Sequence, residues 1–217
     1  MSNAAKLSKR ITINEHSSIR IEAGGYVIYF DPFRIPEQVN DADWVFITHE
    51  HYDHFSVEDM KKVIRQDTVF VAPNTMRNKM LDLGIPDGQM EVMLPDEKVE
   101  VLEMPIEAIA AYNKLKPFHA RMARWLGYII TIENTRIYVA GDTDLVPEAE
   151  AVQCDIALVP CGGLYTMDYN DAARLVNKIK PEIAIPTHYG DIAGDKKCGE
   201  KFAELVDKDI EVQIKIR

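Results

Sequence analysis

Thr48-His49-Glu50-His51-Tyr52-Asp53-His54 sets three imidazoles and an aspartate within a few positions, directly behind the apolar run Trp44-Val45-Phe46-Ile47. Neither a packed core nor a solvated surface calls for that composition. Neutral imidazole and carboxylate are the natural donors for zinc, iron and manganese, so the stretch reads as a metal site. Its setting points to the fold. A short continuous apolar run bounded by polar residues marks a strand buried on both faces, as in sheets covered by helices. Ser56, followed three positions later by Asp59, resembles a capping box, and Val57, Met60, Val63 and Ile64 share one helical face. The histidines therefore sit on a strand-to-helix loop, where α/β folds place their chemistry.

Outward from this loop the same alternation continues. Upstream, Ile11 to Glu22 and Tyr26 to Phe30 read as two strands joined at Gly24-Gly25, a dipeptide suited to the positive φ of a tight hairpin, and Asp31-Pro32 ends the pairing. Downstream come a strand at Thr68 to Ala72 and a helix from about Asn74 to Leu83, closed by Gly84 as a left-handed cap. Residues 90–112 are mostly extended, and Trp125 to Ile132 with Arg136 to Ala140 form a second hairpin around Glu133-Asn134. A strand at Asp155 to Pro160, a helix at Tyr169 to Lys180, a strand at Glu182 to Pro186, a helix near Lys201 to Val206 and a strand at Ile210 to Ile216 complete the chain. No short-period repeat, low-complexity tract or linker interrupts it. The expectation is one α/β domain over residues 1–217.

Composition removes several function classes. The 25 basic and 35 acidic residues give a net charge of −10, a field that repels polyanions, so nucleic acid is a poor substrate and a small molecule a better one. No apolar stretch approaches the roughly 20 residues of a membrane helix, and Met1 to Arg10 has no apolar segment behind it, so a cytoplasmic location is the default. Cys154, Cys161 and Cys198 are an odd set without Cys-x-x-Cys spacing, which argues for reduced thiols rather than disulfides or a thiolate metal knuckle. Oligomeric state is unconstrained.

Further donors fall at predicted strand ends: Asp142 in Ala140-Gly141-Asp142-Thr143, His188 in Pro186-Thr187-His188-Tyr189, and His119. The ordered set His49-x-His51-x-Asp53-His54, then Gly141-Asp142, then His188, resembles the metallo-β-lactamase superfamily over nearly the whole chain. The opening, ending Tyr29-Phe30-Asp31-Pro32-Phe33, is similar to a branch of small metal-dependent hydrolases related to sugar-lactone lactonases. The resemblance implies a four-layer αββα sandwich with two divalent cations in a cleft at one edge of the paired sheets. It assigns His49 and His51 to the first ion, Asp53, His54 and His188 to the second, and Asp142 to both. It also implies a metal-dependent hydrolase whose bridging hydroxide opens an ester, lactone, amide or phosphoester bond of a small molecule, with Asp53 steering the proton. Zinc suits the imidazoles; iron, manganese or nickel suit a mixed oxygen and nitrogen site.

The chain departs from the resemblance at the third ligand of the first ion. Related sequences place Ala-x-His at a strand end, where Ala111-Tyr112-Asn113 offers an asparagine. His119 is the available imidazole, and Asn113 is the weaker alternative through its amide oxygen. Several other residues carry two readings each. His16 in His16-Ser17-Ser18 is structural or joins the site. Thr48 and Thr143 orient imidazoles or merely end strands. Tyr189 donates to a developing oxyanion or packs beside the cleft. Gly162-Gly163 admits substrate to the backbone or simply turns the chain. Lys114, Lys116, Arg121 and Arg124 receive a carboxylate or phosphate or form a solvated loop, and Trp125 and Tyr128 pack the following strand. The rivals to hydrolysis are a di-iron oxidoreductase, which Glu50 inside the cluster would favour, a nuclease of the same fold, and a metal-binding protein without turnover.

Overall fold

The computed structural model describes residues 1–216 and contains two mixed β-sheets packed face to face. The first sheet is built, in both chain and spatial order, from β1 (Ile11–Glu15), β2 (Ser18–Ala23), β3 (Tyr26–Phe30), β4 (Ala42–Phe46), β5 (Ile64–Pro73) and β6 (Met90–Met93). The second runs β7 (Lys98–Val101), β8 (Met104–Ala110), β9 (Leu126–Ile132), β10 (Thr135–Val139), β11 (Ile156–Pro160), β12 (Ile183–Thr187) and β13 (Glu211–Val212). Each sheet begins antiparallel and turns parallel, from β3 onward in the first and from β10 onward in the second.

Alternating side chains on the strands sort into three apolar clusters. Ile19, Ile21, Ile28, Phe30, Trp44 and Phe46 meet Ile106, Leu126, Tyr128, Ile130, Ile156 and Leu158 between the sheets. The helices are α1 (Asn3–Leu7), α2 (Val57–Val63), α3 (Arg77–Asp82), α4 (Pro147–Glu150), α5 (Tyr169–Ile179) and α6 (Cys198–Leu205). Met60 and Val63 of α2 and Met80 of α3 cover the outer face of the first sheet at Val45, Ile47 and Phe70. Ala172 and Val176 of α5 and Phe202 of α6 cover the second at Tyr138, Ala157, Val159 and Ala184. The architecture is therefore αββα, the metallo-β-lactamase fold. No helix among the described residues is long and apolar enough to cross a membrane.

Most elements fall where the sequence predicts them. Ser56 caps α2 by accepting from the Asp59 amide, and Glu133-Asn134 turns the second hairpin with both residues at positive φ. The expected helix from Asn74 is a 3₁₀ turn leading into α3, after which Gly84 takes φ +82°. Three differences stand out. The strand expected over Ile11 to Glu22 is two strands, broken at His16-Ser17, with His16 at φ +52°. The expected strand Ile210 to Ile216 pairs only over Glu211 and Val212. The polar N-terminus forms α1, whose Ala4 and Leu7 join the central core.

Candidate metal centre

Parallel pairing places strand ends side by side. Phe30 of β3 lies opposite Phe46 of β4, and Asp31 continues by donating its amide to the Phe46 carbonyl at 2.9 Å. Beyond Phe46 the chain enters Thr48 and the histidine loop. In the second sheet Val139, Leu158 and Ile185 are in register, so Asp142 after β10 and His188 after β12 leave at one edge. The Leu126 amide donates to the Thr48 carbonyl at 3.1 Å, and the Tyr128 hydroxyl to the Ile47 carbonyl at 2.8 Å, which join the two edges.

Three imidazoles, His49, His51 and His119, form one group of converging donor atoms. His16, Asp53, His54 and His188 form a second. Asp142 lies between them: its Oδ2 is 3.2 Å from His119 Nε2, 3.9 Å from His49 Nε2 and 3.0 Å from His188 Nε2, while Oδ1 is 3.3 Å from His54 Nε2. Asp53 Oδ2 is 3.6 Å from His54 Nε2 and 3.9 Å from His188 Nε2. Donors about 2.0–2.2 Å from a tetrahedral ion stand roughly 3.3–3.6 Å from one another, so these separations match edges of a coordination shell. All the sequence-predicted residues, His49, His51, Asp53, His54, His119, Asp142 and His188, are thus brought together.

The imidazoles are held by what stands behind them. Asp31, fully buried, accepts the Thr48 amide at 2.8 Å, the Thr48 hydroxyl at 2.6 Å and His54 Nδ1 at 2.7 Å. With its proton given to Asp31, the Thr48 hydroxyl accepts from His49 Nδ1 at 3.0 Å. Both rings are thereby fixed with Nε2 facing inward, the arrangement in which a metal-ligating histidine gives its other N–H to an acceptor. Thr143 does not share this task; it bonds the Tyr112 and Asp144 carbonyls instead.

Asn113 does not point into the cluster. Its Nδ2 donates to Asp144 Oδ1 and to the Tyr165 carbonyl, which fixes the amide so that Oδ1 accepts from the His119 amide at 3.1 Å and from His119 Nδ1 at 3.0 Å. The asparagine expected as an alternative donor is the residue that aims His119. Trp125 flanks the same three imidazoles, with ring centroids 4.9 Å from His49, 4.8 Å from His51 and 5.4 Å from His119.

His16, read from the sequence as structural or part of the site, lies in the second group. Its ring lies 3.7 Å from that of His188, its Nε2 is 3.4 Å from Asp53 Oδ2, and its carbonyl accepts the His188 amide at 3.1 Å. The left-handed turn at His16 is what sends this side chain inward. Glu50 turns outward to pair with Lys79, so it offers no carboxylate to the cluster. Tyr189 packs with its hydroxyl against Gly199 of α6 rather than toward the cleft. Lys116 is engaged by Asp144 and the Thr166 carbonyl, and Arg121 by Glu148, while Lys114 and Arg124 are exposed. Gly162 is pressed against the His188 carbonyl, which the turn reading had not anticipated. Cys161 and Cys198 are buried, Cys154 is half-buried, and all three are free thiols.

Electrostatics favour cation capture. Burial, and then the neighbouring His54, holds His49 well below the ordinary imidazole value, and burial does the same to His51. Burial opposes a charge on His54, but Asp142 and Asp31 outweigh it and lift its pKa well above the usual value. Burial likewise opposes ionisation of Asp142, yet His188 and His54 hold it well below the carboxylate range. His49 and His51, neutral beside the ionised Asp142, are in the form in which both donor types bind metal, whereas His54 gives up its extra proton when a cation takes its Nε2.

The decisive observation is what the cluster leaves unmade. His16 Nε2, His54 Nε2, His119 Nε2, both ring nitrogens of His188 and Asp142 Oδ1 are buried without a hydrogen-bond partner. Each such group costs on the order of 1–3 kcal/mol, and native interiors hold few of them. Here one nitrogen of each ring converges with its neighbours and with Asp142, an arrangement that divalent cations would satisfy.

Comparison with known proteins agrees with this geometry. A profile of the Beta-lactamase superfamily domain matches residues 10–188. A UPF0173 metal-dependent hydrolase of Methanopyrus kandleri is 30% identical, over 94% of this chain and 96% of that protein. A crystal structure from Parabacteroides distasonis, 32% identical, superposes with a TM-score of 0.79 over 95% of this chain and 93% of that one. The metallo hydrolase Igni18 of Ignicoccus hospitalis, 24% identical, shares the fold at a TM-score of 0.74 over 94% and 93%. The strand-edge donors and these matches together place the chain in the metallo-β-lactamase superfamily, within the UPF0173 metal-dependent hydrolase family.

Proposed function

We propose that this metal-dependent hydrolase works with two divalent cations and cleaves an ester, lactone or phosphoester bond of a small molecule. The buried, partnerless donor atoms that converge at the sheet edge carry the reading. His49, His51 and His119 would hold one ion, and Asp53, His54 and His188 the other, with Asp142, which lies between the two groups, available to both. Zinc suits the three-imidazole side, while the second side, with its two carboxylates, also suits iron, manganese or nickel. When bound, such a pair supplies a water acidic enough to be hydroxide near neutral pH and polarises the bond under attack.

The residues of the chain do the rest. Asp31 and Thr48 keep two donor rings in one tautomer, and Asn113 does so for His119. Burial favours protonation of Asp53, but the His16 contact and the His54 ring outweigh it, so its carboxylate, which lines the cleft, stays ionised and can relay the proton released on cleavage. No serine or cysteine nucleophile is needed, and the thiols of half-buried Cys154 and buried Cys161 have their pKa raised by desolvation. With Glu50 turned to Lys79, the carboxylate that would have favoured a di-iron oxidoreductase is absent from the cluster.

Elemental analysis of purified protein, coupled to assays on ester, lactone and phosphoester substrates before and after chelation, tests the reading. Two ions per chain, turnover lost on chelation and turnover restored on reconstitution are the expected results. Turnover indifferent to chelation would refute it.

A further inference from the structure

The cleft beside the donor cluster has a volume of about 220 Å³. Its floor is His51, Asp53, His119, Asp142 and His188, and its walls are Tyr52, Phe118, Tyr165 and Ile192. From these walls we infer that the site selects small, uncharged substrates carrying one apolar group, such as a single aryl ring or a short acyl chain, and turns away phosphate- and carboxylate-bearing molecules. The inference rests on the hydrolase reading above and narrows its substrate class.

Three observations converge. First, the polar lining is spent on the donor cluster, and the remainder is aromatic or aliphatic. Phe118 and Tyr165 meet edge to face at 4.8 Å, and Tyr52, 67% exposed, packs on Phe33 at 6.0 Å. Leu164, beside Tyr165 in the chain, is also largely exposed. Exposed apolar side chains gathered at the mouth of a polar cleft mark a binding surface.

Second, no lysine or arginine lines the cleft. Arg34 is held by Asp191 at 2.6 Å, Arg121 by Glu148 at 2.8 Å and Lys116 by Asp144, while Arg124 faces a separate hollow with Pro95 and Glu148. Phosphate and carboxylate recognition relies on charge-assisted donors, bidentate arginine above all. A substrate anion would meet only the cations themselves, in a protein whose net charge of −10 repels it.

Third, the volume is small. Clefts that take drug-sized ligands run to roughly 300–1,000 Å³, whereas this one has about 220 Å³, space that suits a group of about one ring beside the donors.

Hydroxamic acids separate the walls from the metal chemistry, because one chelating head can carry different tails. Calorimetric titration of metal-loaded protein compares acetohydroxamic, benzohydroxamic and 4-carboxybenzohydroxamic acids. The phenyl tail should tighten binding at least about tenfold over the methyl, and the added carboxylate should cost about tenfold or more. Phe118→Ala and Ile192→Ala, at the accessible walls, should each reduce the phenyl preference to about threefold while leaving acetohydroxamic acid unaffected. Equal binding of the methyl and phenyl probes, or tighter binding of the carboxylate, would overturn the inference. These ratios do not depend on turnover. Correct ratios in a protein inert toward neutral esters and lactones would overturn the hydrolase reading alone, and failure of all three probes to bind would overturn the metal-centred site on which both stand.

Discussion

Replacing Asp31 with asparagine changes almost no volume but removes the negative charge that faces His54 and the ability to accept on both oxygens. The carboxylate takes three donors, the Thr48 amide at 2.8 Å, the Thr48 hydroxyl at 2.6 Å and His54 Nδ1 at 2.7 Å. An asparagine oxygen can keep the Thr48 amide, which cannot reverse its role, but the NH₂ then faces the Thr48 hydroxyl and His54 Nδ1. The hydroxyl can rotate to accept; His54 can answer only by moving its proton to Nε2, where it blocks coordination, or by giving up the bond. Removing such an orienting acceptor costs about 10–100-fold in metal affinity, or about 1.4–2.7 kcal/mol. For a chain of 217 residues, 1 kcal/mol moves Tm by roughly 2–4 °C. The Tm increment gained on adding metal should therefore shrink by about 3–11 °C in Asp31→Asn, with the metal-free Tm changed far less. Competition against a chromophoric chelator gives the affinity and scanning fluorimetry the two Tm values. An Asp31→Asn protein with unchanged affinity and an unchanged increment would refute the claim that this buried carboxylate sets the His54 tautomer.

Asp142→Ala should remove most bound metal and all turnover by elemental analysis and assay; retention of two ions per chain would disprove its place between the donor groups. Asn113→Leu should lower affinity at the three-imidazole side by about 10–100-fold, because His119 Nδ1 loses its acceptor, and a crystal structure should show the His119 ring rotated; an unmoved ring would contradict the assignment. Gly162→Ala should destabilise the fold by about 1–3 kcal/mol in denaturant titration, since a Cβ there overlaps the His188 carbonyl, and should loosen metal binding as well; wild-type stability would show that the His188 turn yields without cost. Tyr189→Phe should leave turnover nearly unchanged, because its hydroxyl faces α6; a large loss of kcat would return it to the cleft.

The central motif was legible because its parts are local: an apolar run, a loop dense in donors and a helix cap lie within 20 residues, and each keeps its meaning without tertiary context. Asp142 and His188 were legible by their order and their strand-end positions. The turn that sends His16 inward was hidden for a geometric reason. Ile11, Ile13, Ile19 and Ile21 are all odd-numbered, so the short turn at His16-Ser17 preserves the two-residue period and the two strands read as one. In the sheet Ile11 pairs with Ile21 and Ile13 with Ile19, which confirms that the phase carries through the turn. A glycine would have announced the break; instead His16 itself adopts φ +52°. His119 was legible only as the available imidazole, because it stands in a loop without periodicity, and nothing in the sequence marks Asn113 as the residue that holds its ring. The outward turn of Glu50 has no signature in the sequence, because neighbours in a loop follow no fixed period.

The placement of donors across the chain bears on what the metal is for. The strands through β6 and their loops contribute His49, His51, Asp53 and His54, and those from β7 onward contribute His119, Asp142 and His188, so neither half completes a donor group alone. Cations would thus join the two sheets, and their binding energy would add to the stability of the fold. That does not make them structural. Domains that need a metal to fold are small and lack a core, whereas Trp44, Phe46, Tyr128 and Ile130 already close a continuous apolar layer between these sheets. Structural metal sites are also sealed by their ligands, while five of the donor residues here form the floor of a cleft open to solvent. A fold held by its own core, with buried donors left partnerless at an accessible edge, keeps that arrangement for chemistry on whatever enters the cleft.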